Sequence, residues 1–139
     1  KSNKEAAKIK KRFLDRLPAL NKLIKQVQLS AERGYFVGLD KRQIKVRNSF
    51  SALNTWLQGA GAAVCKQWLV EFDNAVKNFS GVQQVLWVHD EIQVECDREE
   101  ATEIGLLAVE CIKRTGEHFK LRVPLTGEYK IGNNWSETH

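Results

Sequence analysis

Two adjacent carboxylates, Asp90 and Glu91, follow a histidine in the stretch WVHDEIQVE, residues 87–95. Mg²⁺ in proteins is usually held by one or two carboxylates together with water and substrate phosphates. His89 could also donate a hydrogen bond to a phosphate oxygen. These residue types therefore favour metal-assisted chemistry on phosphates. The alternative is an exposed charged turn that only keeps a hairpin soluble.

The residues around this triplet predict the element that would present it. Apolar and polar side chains alternate on both sides, which indicates two antiparallel strands, VQQVLWVH and EIQVEC, joined by a tight turn. A two-residue hairpin turn normally needs positive φ, which Glu tolerates poorly, so we interpret Asp90-Glu91 as an unfavourable turn. A departure from local preference at a hairpin tip suggests a functional demand.

A long helix is predicted before this hairpin, from Ser49 to about Phe79, because apolar residues recur there every three or four positions. Asn54 and Gln58 are four residues apart on this helix and so point from the same side. Their amides could read acceptor atoms in a DNA minor groove. Ordinary polarity of a solvated helix is the alternative explanation.

The rest of the chain predicts a small mixed domain. Helices are expected over residues 4–33, interrupted by Pro18, and over residues 97–119. Residues 34–46 predict a short hairpin, and residues 121–132 one or two further strands. With 139 residues and no internal repeat, we predict one α+β unit in which a small antiparallel sheet packs against long helices.

Positive charge is concentrated near the N-terminus. The formal net charge is +5, and residues 1–25 contain nine Lys or Arg against Glu5 and Asp15. That segment therefore carries +7, and the other 114 residues sum to −2. A basic helical arm of this kind fits contact with nucleic-acid phosphates, and a solvated helix face is the alternative.

Composition narrows the class of protein further. No stretch approaches the roughly 20 apolar residues of a membrane span, so we expect a cytoplasmic protein without a membrane partner. Three widely spaced cysteines, Cys65, Cys96 and Cys111, lack zinc-site spacing and are expected to be reduced and buried. The chain begins at Lys1 and contains no Met, so we expect it to be part of a longer protein.

WVHDEIQVE resembles motif C of the family A DNA polymerases, the group of bacterial DNA polymerase I and of replicative enzymes from short-tailed lytic phages. ERGYFVGLDKRQIKVRNSFSALNTWLQGAGAAVCKQW, residues 32–68, resembles the segment that precedes motif C. GEYKIGNNW, residues 127–135, resembles the closing strand and its Gly-x-x-Trp ending. The resemblance covers roughly residues 10–139, with the motifs in the order found in the family. The sequence of these motifs is most similar to that of the phage enzymes.

The resemblance implies a polymerase palm with a motif C hairpin. Residues 34–139 would be the C-terminal part of the palm, and residues 1–33 a helical segment of the fingers. Asp90 would be a ligand of two catalytic Mg²⁺ ions, in a site completed by an Asp outside this chain. Glu91 would be the accessory catalytic carboxylate and second metal ligand.

The resemblance also implies contacts with nucleic acid, made by His89 near the primer 3′ end, by Asn54 and Gln58 in the minor groove of the nascent duplex, and by Arg47. Two positions depart from the family. Phe50 stands where Arg or His is expected, so the resemblance does not imply a minor-groove contact for this residue. Lys41 stands where a Gly commonly follows Leu-Asp in the preceding hairpin.

By this resemblance the chain is the C-terminal part of a DNA-directed DNA polymerase, a nucleotidyltransferase. Its expected partners are primer-template DNA, a dNTP bound mostly outside this chain, and the remainder of the polymerase. Because motifs A and B are absent, we expect the chain by itself not to extend primers. The alternatives are a non-catalytic nucleic-acid-binding module with a palm-like scaffold, and a metalloenzyme that uses His89, Asp90, Glu91 and His118.

Overall fold

A computed structural model describes residues 3–139 of the chain. Within that range it forms five helices and four strands: α1 (Asn3–Arg16), α2 (Pro18–Ala31), β1 (Tyr35–Val37), β2 (Gln43–Lys45), α3 (Ala52–Val76), β3 (Gln83–Val88), β4 (Glu91–Glu95), α4 (Ala101–His118) and α5 (Trp135–Thr138). The predicted α+β class is confirmed. The strands form two separate antiparallel pairs, β1 with β2 and β3 with β4.

The chain divides into two compact units, and the boundary falls inside α3, after Ala60. This boundary describes contacts within the chain. The predicted division at residue 33 concerns the parts of a polymerase and stays a prediction. Lys1 and Ser2, which belong to the predicted basic segment, lie outside the described residues.

The first unit begins with two helices separated at Pro18, as predicted. Proline occupies the first turn of α2, where its missing N–H breaks no helical hydrogen bond. Four buried side chains form the core of this unit, and they come from α2, β1, the residue after β2 and the start of α3: Val27, Phe36, Val46 and Ala52. By contrast, α1 contributes no buried side chain and presents its lysines and the apolar residues Ile9 and Phe13 to solvent.

The loop between β1 and β2 contains a strained residue. Gly38 N–H donates to the Arg42 carbonyl at 2.8 Å, and Lys41 N–H donates to the Gly38 carbonyl at 3.0 Å. Asp40 accepts a hydrogen bond from the Arg42 guanidinium at 2.6 Å, which lowers the pKa of that carboxyl group. Lys41 has φ +65°, a left-handed conformation that residues with a Cβ adopt at a cost. This is the position at which the resemblance leads one to expect glycine.

We therefore expect Lys41→Gly to raise the free energy of unfolding by about 0.5–1 kcal/mol, because relief of the left-handed strain exceeds the added flexibility of the unfolded chain. Urea denaturation of the 139-residue chain, followed by circular dichroism, measures the change. Lys45→Gly is the matched control. Lys45 is an exposed strand residue without positive φ, so this substitution should destabilise by a similar amount. A destabilising Lys41→Gly would contradict the assignment of strain.

The core of the second unit lies between the C-terminal part of α3, helix α4 and the inner face of the second hairpin. Its buried side chains are Phe72, Val76, Ile104 and Cys111, and partly buried residues packed against them include Trp68, Ile92, Val94 and Leu107. The Trp68 indole N–H also donates to the Ala108 carbonyl of α4 at 2.8 Å. These contacts give the hairpin a rigid base.

One predicted element is wrong. Residues 121–134 form no strand. They form an extended segment that packs along α4. The Tyr129 ring lies directly over Gly105, and a Cβ built on Gly116 would be 3.2 Å from the Leu125 side chain. The two glycines thus allow β-prone side chains to pack on a helix. These residues satisfy the strand pattern but have no partner strand within the described part of the chain.

The three cysteines are free, as expected, but only Cys111 is fully buried, while Cys65 and Cys96 are half-buried. Burial raises the pKa of each thiol. Among the described residues, no helix combines the length and the apolar character needed to cross a bilayer.

Candidate active site at the second hairpin

The tip of the second hairpin consists of His89 and Asp90. Val88 pairs with Glu91, so Glu91 is already the first residue of β4, and the predicted turn at Asp90-Glu91 is wrong by one residue. The conformational cost falls on His89 instead, whose φ is +54°. The tip is therefore strained, although at a different residue from the one that the sequence indicated.

Trp87 stabilises this turn from within the hairpin. Its indole N–H donates to the His89 carbonyl at 2.8 Å, which satisfies a backbone acceptor at the strained residue. Further from the tip, the register of β3 shifts between Gln84 and Leu86, an irregularity of the β-bulge type. The side chains of His89 and Asp90 remain exposed.

Within the described residues, the Asp90 carboxylate forms no hydrogen bond and no ion pair. The nearest recorded electrostatic effect is on Cys65 of α3, whose thiol pKa is raised by burial first and by the negative charge of Asp90 second. The Asp90 oxygens are therefore accessible to an incoming ligand. A hard cation is the kind of ligand that such a carboxylate prefers.

Glu91 is in the opposite situation, because both of its oxygens are engaged. Oε1 accepts hydrogen bonds from the Gln93 amide and, at 3.2 Å, from the Trp135 indole. Oε2 is 3.0 Å from Nδ1 of His139. The hydrogen bond from Gln93, followed by those from His139 and Trp135, lowers the pKa of Glu91. These contacts fix the carboxylate in the ionised form.

Sequence analysis did not predict that α5 would contact Glu91. Thr138 of α5 also donates to the Gln93 side-chain oxygen at 3.2 Å, and the Arg98 guanidinium donates to Asn133, just before α5, at 3.0 Å. The contacts to Glu91 span 44 to 48 residues of sequence, so no local spacing reveals them. The Gly-x-x-Trp ending was the one signal that pointed to Trp135.

The shifted pKa of Glu91 gives a testable pH dependence. A lowered pKa means that the contacts to Glu91 stabilise the fold above the ordinary pKa of glutamate, and that this contribution is lost as the pH falls through the lowered value. In chelator-treated buffer, carboxyl NMR titration of the chain should give a Glu91 pKa below the ordinary value.

Replacing Gln93 with Ala should raise the Glu91 pKa more than replacing His139 with Ala, because the Gln93 hydrogen bond has the larger effect. Gln43→Ala, an exposed glutamine in the first hairpin, is the control and should leave the Glu91 titration unchanged. An unshifted pKa in the unmodified chain would show that α5 does not hold this carboxylate in solution.

The other predicted site residues lie in the first unit. Asn54 and Gln58 are exposed on α3, and Arg47 is exposed before it. None of these side chains makes a hydrogen bond within residues 3–139. The structure thus brings His89, Asp90 and Glu91 together at one hairpin, while Arg47, Asn54 and Gln58 share the other unit.

The metalloenzyme alternative has no support from the geometry. His118 makes an edge-on contact with the Phe119 ring, with centroids 4.9 Å apart. The described residues contain no group of three or more His, Cys, Asp or Glu side chains that could hold a metal ion. Any cation at Asp90 would need further ligands from elsewhere.

The solved structure of the POL domain of Pol1 from M. smegmatis, in complex with DNA primer-template and dNTP, shares this fold. It matches with a TM-score of 0.73 and 24% identity, over 82% of this chain and 23% of that one. The fold is thus that of a polymerase domain. The profile of DNA polymerase family A matches residues 1–137. The chain belongs to DNA polymerase family A.

Curated relatives show the same relationship at higher identity. The DNA-directed DNA polymerases of Enterobacteria phage T3 and Escherichia phage T7 are 34% and 33% identical over 99% of this chain. DNA polymerase I of Bacillus caldotenax is 30% identical over 96% of it. The chain spans about a quarter of the length of the phage enzymes, 23%, and 16% of the Bacillus enzyme. The predicted family is confirmed.

Proposed function

We propose that this chain is the C-terminal part of a DNA-directed DNA polymerase that catalyses template-directed nucleotidyl transfer. Residues 34–139 would form the end of the palm, and residues 1–33 the last helices of the fingers. The observation that carries the proposal is the contrast at the second hairpin. Asp90 is exposed and has no hydrogen-bond partner among residues 3–139, whereas the neighbouring Glu91 is held by three side chains. Family membership sets the reaction class.

Asp90 and Glu91 are the residues that would hold Mg²⁺. Asp90 fits a hard cation because its carboxylate is exposed at a turn that is fixed by Trp87. Glu91 fits an accessory role, since its contacts to Trp135 of α5 and to His139 restrict both oxygens. When bound between carboxylates and phosphates, Mg²⁺ polarises phosphoryl oxygens and lowers the pKa of an attacking hydroxyl. The remaining ligand, an Asp of motif A, would come from outside this chain.

Primer-template DNA is the proposed macromolecular ligand. His89 would contact the primer strand beside Asp90, and Asn54, Gln58 and Arg47 would contact the duplex. The proposal is supported by charge as well as by residue type. Residues 41–70 contain five Lys or Arg and no Asp or Glu, which suits a surface that approaches phosphates. The exposed lysines of α1 would add contacts to the backbone.

Two exposed apolar surfaces support the proposal that the remainder of the polymerase packs against this chain. Val85, Leu86 and Trp87 are consecutive exposed residues of β3, so apolar side chains are exposed on both faces of a strand that has one hydrogen-bonded neighbour among the described residues. Ile9 and Phe13 of α1 are likewise exposed at helical spacing. Apolar strand and helix faces of this kind are usually covered in a complete protein. A cytoplasmic location would follow from the same proposal.

The isolated chain should not extend a primer. Asp90 and Glu91 alone hold Mg²⁺ weakly, and the motif B side chains that would bind the dNTP are outside the chain. The measurement is a gel assay with labelled primer-template, four dNTPs and Mg²⁺. Clear extension products would contradict the assignment of the missing ligands to other segments, provided that an Asp90→Asn chain purified in parallel gives none and so excludes a contaminating polymerase.

A non-catalytic nucleic-acid-binding module is the second candidate. The basic α1 favours it. The residues encoded before Lys1 distinguish the two functions. A motif A with its Asp and a motif B with its Lys support the polymerase, and a reading frame without them supports binding without synthesis.

A further inference from the structure

Gln93 of β4 uses both ends of its carboxamide in hydrogen bonds. Its amide nitrogen donates to Glu91 Oε1, and its amide oxygen accepts from the Thr138 hydroxyl at 3.2 Å. A carboxamide has donors on its nitrogen and an acceptor on its oxygen, whereas an ionised carboxylate can only accept. The contact with Glu91 therefore fixes the orientation of the Gln93 amide, with its oxygen directed to Thr138 of α5.

The alternation of side chains along β4 explains why Gln93 and Glu91 meet. Ile92 and Val94 pack against the core of the second unit. Successive side chains of a strand point to opposite faces, so Glu91 and Gln93 stand side by side on the face away from that core. Thr138 contacts Gln93 on this same face. Gln93 thus lies between the Glu91 carboxylate and α5.

Gln93 differs from the other two side chains that hold Glu91, because it belongs to the same strand. Trp135 and His139 reach Glu91 across 44 and 48 residues of sequence, whereas two residues of backbone set the position of Gln93. The hydrogen bond from Gln93 is also the largest cause of the lowered pKa of Glu91. Gln93 is therefore the partner most directly tied to this carboxylate.

We propose that Gln93 is a positioning residue that fixes the direction of the Glu91 carboxylate for its accessory role in nucleotidyl transfer. This inference rests on the proposed function, because it requires Glu91 to take part in the reaction. A glutamate side chain has several rotatable bonds, and a hydrogen bond to one of its oxygens restricts them before the substrate arrives. Carboxylates that hold metal ions are commonly oriented by such neighbours. Gln93 would act through Glu91 and contact neither the cation nor the substrate.

A double-mutant cycle tests this role in the polymerase that contains the chain, with single-turnover nucleotide incorporation as the measurement. Gln93→Met keeps the length of the side chain but removes both hydrogen bonds, and it should slow incorporation about threefold or more. The double variant with Glu91→Ala should be no slower than Glu91→Ala alone, because Gln93 has no carboxylate left to orient. Gln43→Met, at an exposed glutamine of β2, is the matched control and should stay within about twofold of the unmodified enzyme.

A second measurement follows the same contact without catalysis. The Trp135 indole N–H donates to Glu91 Oε1, the oxygen that Gln93 holds, at 3.2 Å. In NMR spectra of the 139-residue chain, Gln93→Met should shift the Trp135 indole proton and speed its exchange with solvent, because its acceptor is no longer fixed. Trp135→Phe assigns the signal. The indole protons of Trp68 and Trp87 donate to backbone carbonyls at 2.8 Å and should be unchanged.

Two results would overturn the inference while leaving the proposed function in place. One is an unchanged Trp135 indole signal together with unchanged incorporation in Gln93→Met. The other is a loss in the double variant that equals the product of the two single losses, because Gln93 would then act on the fold and not through Glu91. Gln93→Asn, which keeps the carboxamide but shortens its reach, repeats the cycle if the Met variant does not fold. Full incorporation by Glu91→Ala would instead count against the proposed role of Glu91 itself.

Discussion

Replacing Asp90 with Asn in the polymerase that contains this chain should reduce primer extension by a factor of about 10³ or more and leave primer-template affinity within about twofold. Asn keeps the shape of the side chain and one neutral oxygen but removes the negative charge that a hard cation requires. The loss should appear in kcat, because the interaction operates in the transition state and not in DNA binding. Single-turnover nucleotide incorporation at saturating dNTP and Mg²⁺ measures it directly.

Two further variants make this result interpretable. Glu91→Gln should cost less, about tenfold, because Trp135 and His139 already restrict both Glu91 oxygens and the proposed role of this residue is an accessory one. Glu95→Gln changes an exposed carboxylate at the far end of β4 and should leave incorporation within about twofold. Robust synthesis by the Asp90→Asn enzyme would remove the proposed role of the hairpin tip.

The helices and hairpins were predictable because each has a local signal that its tertiary contacts reinforce. The break at Pro18 follows from a missing N–H, and the long α3 follows from an apolar repeat that continues into two successive cores. Motif C was recognisable for a similar reason. Its alternating residues describe a hairpin, and its central triplet has no explanation in local preference.

The errors arose where tertiary contacts replace local rules. The turn moved by one residue because His89, with its carbonyl satisfied by Trp87, adopts the left-handed conformation that was expected one or two residues later. Residues 121–134 pack on α4 instead of pairing with a strand, because Gly105 and Gly116 leave room for side chains of that segment. Tyr129 lies 24 residues after Gly105 and Leu125 nine residues after Gly116, so the spacing of neither pair is that of a local pattern.

For the same reason, only part of the candidate site could be predicted from the sequence. Asp90 could be identified because its motif surrounds it. The restraint of Glu91 depends on Trp135 and His139, which are more than 40 residues away in the sequence. The difference between Asp90 and the restrained Glu91 could therefore not be predicted from neighbouring residues. Phe50 shows the converse, because its departure from the family was visible in the sequence, whereas its 94% exposure needed coordinates.

The hairpin that carries Asp90 packs on a core whose largest fully buried side chain is Phe72, and Phe72→Ala should therefore lower the free energy of unfolding of the 139-residue chain by about 3–5 kcal/mol. Phe72 is 0% exposed and belongs to the cluster against which Ile92 and Val94 of β4 pack. Removal of its ring leaves a cavity between α3, α4 and the hairpin, and domains of this size have only about 5–15 kcal/mol of stability in total.

Val70→Ala is the matched control for this prediction, since Val70 is two residues earlier in the same helix and 54% exposed. It should change the free energy of unfolding by less than about 0.5 kcal/mol. Urea denaturation of the three proteins, followed by tryptophan fluorescence, gives the comparison. If Phe72→Ala were no more destabilised than Val70→Ala, the hairpin would not rest on this cluster. The position of Asp90 would then require another physical explanation.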